Sequence, residues 1–379
     1  MAPQPETRSI KVDFPVYGLD FTFDDRIVAV GGGGASSRSG VKNKIVAFRP
    51  GNGDRIDLDL PGDQDCPMSV ACHPTLPLIA AGINDNDASI EKGENRSCRL
   101  FELDQSINAI KPTNTAFAST SRNTEDYQKV TRFSPDGKYL VTGFTDGQVT
   151  VRRLDDLSLK FPPLRFNGVQ DCDIDPDEAH LAVATPKALM ILSLKDGTIV
   201  QVIESPRLNG RTECEFRSCR YAKAPENKLY AAVNPISRGR GFLCAWNLSP
   251  NPQRRYPITK RAKTASVCRK SITSFSVSPA GDLLAYASTD LTIGIVDARL
   301  LRPVMVIKQA HGFAITSLCF SRDGKCLASA GADTQCRMMI LPNLLRKESH
   351  FLSESSFALL SILLLWLLSY TLHEMKLLQ

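Results

Sequence analysis

The residues with the most distinctive chemistry lie in a glycine-rich segment near the N-terminus. Gly31-Gly-Gly-Gly34 opens a run, 31–45, that contains no Asp or Glu. The charged side chains of this run are all cationic: Arg38, Lys42 and Lys44. Such a run offers no carboxylate ligand for a divalent metal. Its backbone carbonyls could instead coordinate a monovalent cation, as in potassium filters, and the alternative is a flexible, solvated loop.

No familiar catalytic motif accompanies this segment. The sequence has no Walker loop, HExxH or GxSxG, and no Gly-Lys-Ser/Thr follows the glycine run to hold phosphates. The five histidines are scattered without metal-ligand spacing. We therefore expect no catalytic residues and no small-molecule substrate, and we expect a binding or regulatory protein rather than an enzyme.

A repeated all-β framework is predicted to position the segment. A pattern of strand, turn, apolar strand, turn and strand is clearest in Phe133–Val151, where Asp136-Gly137 and Asp146-Gly147 mark two tight hairpins. A second and a third copy cover residues 275–298 and 320–333, and weaker copies cover 23–31, 73–82, 175–185 and 224–234. Recurrence about every 40–60 residues predicts a seven-bladed β-propeller with four-stranded blades. Two packed β-sandwiches, the alternative, explain the strands but not their recurrence.

The repeats resemble the WD-repeat family, although most of its Trp-Asp pairs are missing. Trp246-Asn247 and Val296-Asp297 stand where such pairs are expected. In the last copy His311, Ser329 and Asp333 match the structural hydrogen-bond positions of that family. The resemblance therefore implies an architectural role for these three residues.

The glycine-rich run falls in an unusually long connection between the second and third strands of the first blade. Blade two has a similar expansion, Asn84 to Arg96, whose Asp, Glu and Asn content favours a solvated loop. Because these connections emerge on one face of a propeller, we expect the two insertions to lie side by side. Long connections in compact domains are usually functional.

A membrane anchor is predicted near the C-terminus. Residues 355–372 contain no charge, and as a helix they would span about 27 Å, close to the thickness of an ER bilayer. A buried core helix is the alternative, but it would keep a polar stripe. We predict a propeller over 1–345, a linker over 346–354, a transmembrane helix over 355–372 and a short lumenal tail over 373–379.

The flanking residues and the cysteines indicate the topology. Arg337, Arg346 and Lys347 precede the apolar run, and no secretory signal peptide starts the chain, so the propeller is expected to face the cytosol. All eleven cysteines precede the run and several fall within apolar strand patterns, which favours buried thiols in a reducing compartment.

With this arrangement, the chain resembles the ER-membrane guanine-nucleotide exchange factors for the Sar-type GTPase, which start COPII coats and include the prolactin regulatory element-binding protein of animals. Gly31-Gly-Gly-Gly34, a spacer, Ser39-Gly-Val-Lys-Asn43, the repeats and the C-terminal apolar helix carry the resemblance. It covers nearly the whole chain. One departure is that only seven residues follow Leu372, where members of the family often continue into a lumenal segment.

The resemblance implies both a partner and a cofactor. It implies a loop, Gly31–Ile45, that contacts the GTPase. The glycines Gly31, Gly32, Gly33, Gly34 and Gly40 would shape this loop. Val41 and Asn43 would contact the GTPase, and Lys42 would add a charge contact. It also implies a potassium ion, bound by backbone carbonyls within Gly31–Gly34 and Gly40. The implied location is the ER membrane, as a single-pass type II protein that promotes GDP release and GTP loading in ER-to-Golgi transport.

Three other classes of function compete with this one. A membrane-anchored WD-repeat scaffold without exchange activity is the main alternative, but it does not need the first-blade insertion. Nucleic-acid binding is not expected, because basic residues such as Arg254-Arg255 are typical of a solvated loop. A metal-dependent propeller hydrolase would need carboxylates that converge in the central channel.

Overall fold

The computed structural model describes residues 5–34, 40–49, 51, 54–62, 64–207, 212–222, 228–237, 239–247 and 263–342. The chain divides into one compact unit, Met1–Leu341, and a second unit, Pro342–Gln379. The predicted linker, the predicted transmembrane helix at 355–372 and the tail all lie outside the described residues. None of the described helices is long and apolar enough to cross a membrane.

The described residues form seven four-stranded antiparallel sheets, which confirms the predicted propeller. In each of the first six blades the strands follow chain order from the inner to the outer edge. Blade one contains β2 (Val16–Phe21), β3 (Ile27–Gly31), β4 (Lys44–Phe48) and β5 (Arg55–Asp59). Blade two contains β6 (Ser69–Cys72), β7 (Leu78–Gly82), β8 (Cys98–Asp104) and β9 (Ala109–Ala116), with helix α1 (Asp87–Lys92) between β7 and β8.

The next four blades repeat this order. Blade three contains β10 (Gln128–Phe133), β11 (Tyr139–Phe144), β12 (Gln148–Arg153) and β13 (Leu164–Arg165). Blade four contains β14 (Asp171–Ile174), β15 (His180–Ala184), β16 (Ala188–Ser193) and β17 (Ile199–Glu204). Blade five contains β18 (Cys214–Ala222), β19 (Lys228–Pro235), β20 (Phe242–Asn247) and β21 (Lys263–Ser266). Blade six contains β22 (Ile272–Val277), β23 (Leu283–Ser288), β24 (Ile293–Asp297) and β25 (Arg302–Ile307).

The last blade combines the two ends of the propeller. It contains β26 (Ile315–Phe320), β27 (Cys326–Gly331) and β28 (Gln335–Ile340), and its outer strand is β1 (Glu6–Lys11). Strand β1 pairs antiparallel with β28 from Glu6↔Ile340 to Lys11↔Gln335. The ring is therefore closed by hydrogen bonds between segments more than 300 residues apart in the chain.

The core lies between neighbouring blades, which explains why the second strands are apolar on both faces. All five residues of β3 are buried, and Ala29 and Val46 of blade one pack with Ala328 and Ala330 of blade seven. A strand covered on both faces reads as a continuous apolar run rather than as an alternating one. The cysteines contribute to this packing, since all eleven are free thiols and eight of them are buried.

The predicted WD-type hydrogen bonds are present in blade seven. His311 Nε2 lies 2.8 Å from Ser329 Oγ, and His311 Nδ1 lies 3.0 Å from Asp333 Oδ1. Asp333 Oδ2 also accepts the backbone N–H of Gly312 at 2.8 Å. Burial lowers the pKa of His311, so the imidazole serves as a neutral link between turn and strand.

The propeller has two distinct ends. In blade one the start of β2 lies beside the end of β3, as the pair Val16↔Gly31 shows. The connections from second to third strands therefore leave the end at which the inner strands begin. We call this end the loop face; it carries residues 32–34 and 40–43 of blade one and 83–97 of blade two.

Candidate functional site on the loop face

The glycines at the start of the blade-one connection meet other backbone segments at very close range. A Cβ added to Gly31 would lie 2.0 Å from the carbonyl oxygen of Pro15, and one added to Gly32 would lie 2.1 Å from Asn43 Oδ1. Gly32 has φ +152° and Gly34 has φ +98°, which L side chains rarely adopt. Glycine is therefore required here both by space and by backbone conformation.

Asn43 holds the two ends of the connection together. Its Oδ1 accepts the Gly34 N–H at 3.1 Å, and its Nδ2 donates to the carbonyl oxygens of Gly34, at 3.2 Å, and Gln64, at 2.9 Å. Its backbone carbonyl accepts the N–H of Leu60 at 2.8 Å. Only 4% of Asn43 is exposed. The residue predicted to contact a partner thus lies inside the fold, where it pins the loop.

The other predicted contact residues divide between surface and interior. Gly33 and Gly40 are exposed, whereas Val41 is half-buried and packs against the apolar cluster between blades seven and one. Lys42 is exposed and its Nζ lies 2.6 Å from Asp59 Oδ2. This hydrogen bond raises the pKa of Lys42 and lowers the pKa of Asp59.

Both described cations of the loop, Lys42 and Lys44, pair with carboxylates. Lys44 Nζ also lies 3.0 Å from Asp59 Oδ1 and 3.7 Å from Asp57 Oδ2. Exposed pairs of this kind contribute little stability, because water and salt screen them. The acid-free run is therefore partly neutralised by carboxylates of the adjacent strand β5. The Lys42 ammonium remains accessible to a partner at the surface.

The blade-two insertion contains a short helix, and its residues Asp87, Glu91 and Lys92 are exposed, as expected of a solvated segment. Asn86 caps α1 by accepting the N–H of Ser89 at 3.0 Å, and Gly93 ends the helix in the left-handed conformation. Ile90 of this helix is buried at 2% exposure. Some of the polar residues that favoured a solvated loop therefore have structural roles. Asn86 caps the helix, and Asn84 and Asn95 are buried amides at the two ends of the segment.

Those buried amides anchor the insertion at its base. Asn95 Nδ2 donates to Asn84 Oδ1 at 3.0 Å, and Asn84 Nδ2 donates to the carbonyl of Asp126 at 2.8 Å. Both asparagines are 3% exposed. The Asn95 Oδ1 atom also accepts the N–H of Asp85 at 3.0 Å. Each amide therefore bonds one backbone group and the other amide, which ties the two ends of the insertion together.

The two insertions are connected through the segment that joins blades one and two. The backbone carbonyl of Gln64 accepts from Asn43, and the side-chain Oε1 of Gln64 accepts a hydrogen bond from Arg99 at 2.5 Å. Arg99 also pairs with Asp85 at 2.7 Å. The N–H of Asp65 donates to the carbonyl of Asn84 at 3.2 Å. This confirms that the insertions are neighbours on one face.

Sequence reasoning did not identify Gln64 or Arg99 as parts of this site. Gln64 lies in a turn with no repeat signature, and Arg99 interrupts the apolar pattern of β8 (CRLFELD). The available sequence signal was a basic residue at a half-buried strand position next to an insertion. The described His, Cys, Asp and Glu residues include no group of three or more that could hold a metal ion.

Comparisons with known proteins agree with this architecture. A family model described as "WD domain, G-beta repeat" matches residues 123–151 and 302–338. A solved chain from the "Crystal Structure of Mitotic Checkpoint Complex" superposes with a TM-score of 0.66 at 13% identity, covering 89% of this chain and 92% of that chain. At that identity the likeness shows the fold alone.

Sequence relatives are more informative. The guanine nucleotide-exchange factor SEC12 of Candida glabrata is 28% identical over 97% of this chain and 80% of its own length. SEC12 of Mus musculus is 22% identical over 88% of this chain and 90% of its own length. SEC12-like protein 2 of Arabidopsis thaliana is 23% identical over 80% of this chain and 73% of its own length. The chain carries WD40 repeats and is homologous to SEC12 guanine nucleotide-exchange factors.

Proposed function

We propose that this homologue of SEC12 exchange factors promotes GDP release and GTP loading on the Sar-type small GTPase at the ER membrane, and so starts COPII vesicle budding. The observation that carries the proposal is the blade-one connection, whose base is held rigidly by the Asn43 hydrogen bonds while Gly33, Gly40 and Lys42 stay exposed. A scaffold has no need of a pinned glycine loop. The chain acts as a GTPase regulator.

The mechanism requires no bond to be made or broken by this chain. A small GTPase holds its nucleotide through contacts with phosphate, magnesium and the switch loops. A protein that binds the nucleotide-free form more tightly weakens nucleotide binding by the same factor, since the two equilibria are linked. Each tenfold acceleration of release needs about 1.4 kcal/mol of preference for the transition state.

The structure supports this mechanism through preorganisation of the loop. A glycine-rich segment loses more conformational entropy on ordering than any other. Here the ends of the segment are already fixed, with Gly32 N–H bonded to Pro15 O at 3.1 Å and Gly34 bonded to Asn43. Less free energy is then lost when the loop meets its partner.

We further propose potassium as the cofactor of the loop. Its ligands would be neutral carbonyl oxygens within Gly31–Gly34 and Gly40. The donor set fits a monovalent cation, because the carbonyls of Gly32, Gly33 and Gly40 accept no hydrogen bond from the described residues. The carbonyl of Gly34 accepts one from Asn43 and keeps a second lone pair. When bound, the ion would order the segment.

The membrane part of the proposal rests on sequence. Residues 355–372 would form the anchor, with the propeller facing the cytosol. The Candida glabrata relative aligns over 97% of this chain, so the similarity extends beyond Leu341 into the second unit. An anchor would raise the effective concentration of the exchange factor where the GTPase meets the bilayer.

The test measures release of fluorescent GDP from the Sar-type GTPase with the full chain, in potassium and then in sodium buffer. Acceleration is expected, and a larger one in potassium. GTPase binding without acceleration would favour the scaffold and contradict the exchange function. Equal acceleration in both buffers would contradict the potassium proposal alone.

A matched pair of lysines locates the activity. Lys42 on the loop face and Lys138 in a turn at the opposite end are both exposed and ion-paired, at 2.6 Å with Asp59 and 2.7 Å with Asp136. We expect Lys42→Ala to slow GDP release about tenfold, a loss of about 1.4 kcal/mol, and Lys138→Ala to have no effect. Equal effects of the two variants would place the activity elsewhere.

A further inference from the structure

The inner strands of the seven blades surround a polar cavity on the propeller axis. Its volume is about 360 Å³, near the lower end of the range for ligand pockets. The walls carry four basic side chains: Lys129, Arg132, Arg217 and Arg220. They also carry the carboxylates Asp20 and Asp171. The distribution of these charges along the axis decides what the cavity can bind.

In the middle of the cavity the charges are compensated. The carboxylate of Asp171 pairs with Arg220 and lies 3.8 Å from Arg132. Arg132 is also 3.8 Å from Asp173. Further along, Arg322 lies 3.9 Å from Asp20 and donates to the carbonyls of Phe21 and Cys72. These groups therefore leave no net charge to attract a ligand.

Lys129 and Arg217 are different. Lys129 Nζ donates to Gln170 Oε1 at 2.5 Å, and neither Lys129 nor Arg217 forms an ion pair with a described carboxylate. Burial and the charge of Arg217 lower the pKa of Lys129 to about 8, against opposing effects of Asp171 and Glu215. The cavity thus holds two cations near one another without a bound counter-charge.

These residues converge from three consecutive blades. Lys129 is in β10 of blade three, Gln170 directly precedes β14 of blade four, and Arg217 is in β18 of blade five. Lys129 and Gln170 stand where their inner strands begin, which is the loop face. Since Gln170 Oε1 accepts from Lys129, its Nε2 is left as a donor, and that atom bonds to none of the described residues.

We propose that Lys129, Arg217 and the Gln170 amide form a binding site for a phosphate-class oxyanion in the cavity at its loop-face end. A tetrahedral oxyanion presents several acceptor oxygens to donors that arrive from different directions, and charge-assisted hydrogen bonds to it are about twice as strong as neutral ones. The anion neutralises both cations at once. Its source is either free phosphate or the phosphate group of a small organic molecule.

The test titrates the full chain with inorganic phosphate, with glycerol 3-phosphate and with sodium chloride at matched ionic strength, by calorimetry and by thermal unfolding. Saturable binding of phosphate supports a free-ion source, and binding of glycerol 3-phosphate alone supports an organic one. The same rise in melting temperature with chloride, or no saturable binding of either phosphate, overturns the proposal.

Two charge-removing variants and one control assign the site. Lys129→Met and Arg217→Met are each expected to weaken binding at least tenfold, while Lys195→Met, which removes an exposed lysine on blade four, leaves binding unchanged. Wild-type affinity for phosphate in both site variants overturns the proposal. If Lys129→Met does not fold, the phosphate affinity of Arg217→Met decides between the two outcomes. Phosphate binding by the wild type must then also take up protons at pH 8, because an anion raises the pKa of Lys129.

Discussion

Replacing Asn43 with alanine tests whether the loop is held by this side chain. The change removes three hydrogen bonds, to Gly34 N–H at 3.1 Å, to Gly34 C=O at 3.2 Å and to Gln64 C=O at 2.9 Å. It keeps the bond from Leu60 N–H, because that one uses the backbone of residue 43. The effect therefore isolates the side chain.

The magnitude follows from these contacts. A typical intramolecular hydrogen bond contributes about 0.5–1.5 kcal/mol net, so three bonds correspond to roughly 1.5–4.5 kcal/mol. Gly34 and Gln64 are only half-buried, and water replaces part of the lost bonding. We expect the free energy of unfolding to fall by about 2 kcal/mol, and GDP release to slow at least tenfold as the loop loses its position.

Urea unfolding measures the free energy of unfolding, and we expect a lower midpoint at an unchanged m value. Release of fluorescent GDP measures the rate of nucleotide exchange. Asn114→Ala is the control, since Asn114 is exposed and, among the described residues, its side chain bonds only the neighbouring N–H of Thr115, at 2.8 Å. A stability change below about 0.5 kcal/mol in Asn43→Ala would refute the pinning role. Slower nucleotide exchange in Asn43→Ala with an unchanged free energy of unfolding would indicate that Asn43 contacts the GTPase directly.

Three further changes probe the fold and the cavity. Lys129→Met is expected to raise the free energy of unfolding by about 3 kcal/mol at pH 7 in phosphate-free buffer, because a pKa of about 8 instead of 10.5 penalises the charged folded state. This increase in the free energy of unfolding should decline as the pH rises from 8 to 10.5. An increase that does not depend on pH, or an equal increase in Lys195→Met, would contradict the prediction. His311→Ala is expected to lower the free energy of unfolding by about 2–4 kcal/mol, because buried Ser329 and part-buried Asp333 lose their hydrogen bonds. Urea unfolding measures this change, and a loss under about 0.5 kcal/mol would argue against the structural role of His311. Arg99→Met removes the bond to Asp85, so the amides of α1 should exchange hydrogen about tenfold faster; unchanged protection would show that the bridge is dispensable.

Local patterns predicted the parts of the fold that depend on neighbouring residues. Asp136-Gly137 specifies a tight turn by its own backbone preferences, and both the turn and the following strand occur as expected. The resemblance to WD repeats likewise predicted the hydrogen bonds that join His311 to Ser329 and Asp333. Strand β1 carried no comparable signal, because its partner β28 lies at the other end of the propeller.

In the candidate site, too, the sequence predicted the local features and not the tertiary contacts. The glycine run was recognisable from composition, and its place between the second and third strands followed from the repeat. The roles of Asn43 and Gln64 were not recognisable, since an asparagine reads alike whether it faces solvent or bonds a distant carbonyl. Helix α1 was missed because its polar residues are also those of a solvated loop.

The sequence by itself determined the repeat, the apolar strands, the glycine positions and the bilayer-length run at 355–372, because each depends on the order of residues along the chain. Tertiary structure alone decided which charges are compensated. Lys129 and Arg217 are 88 residues apart, and they become a pair only because the propeller turns their strands toward one axis. Electrostatic energy depends on distance and burial, which only the folded ring specifies.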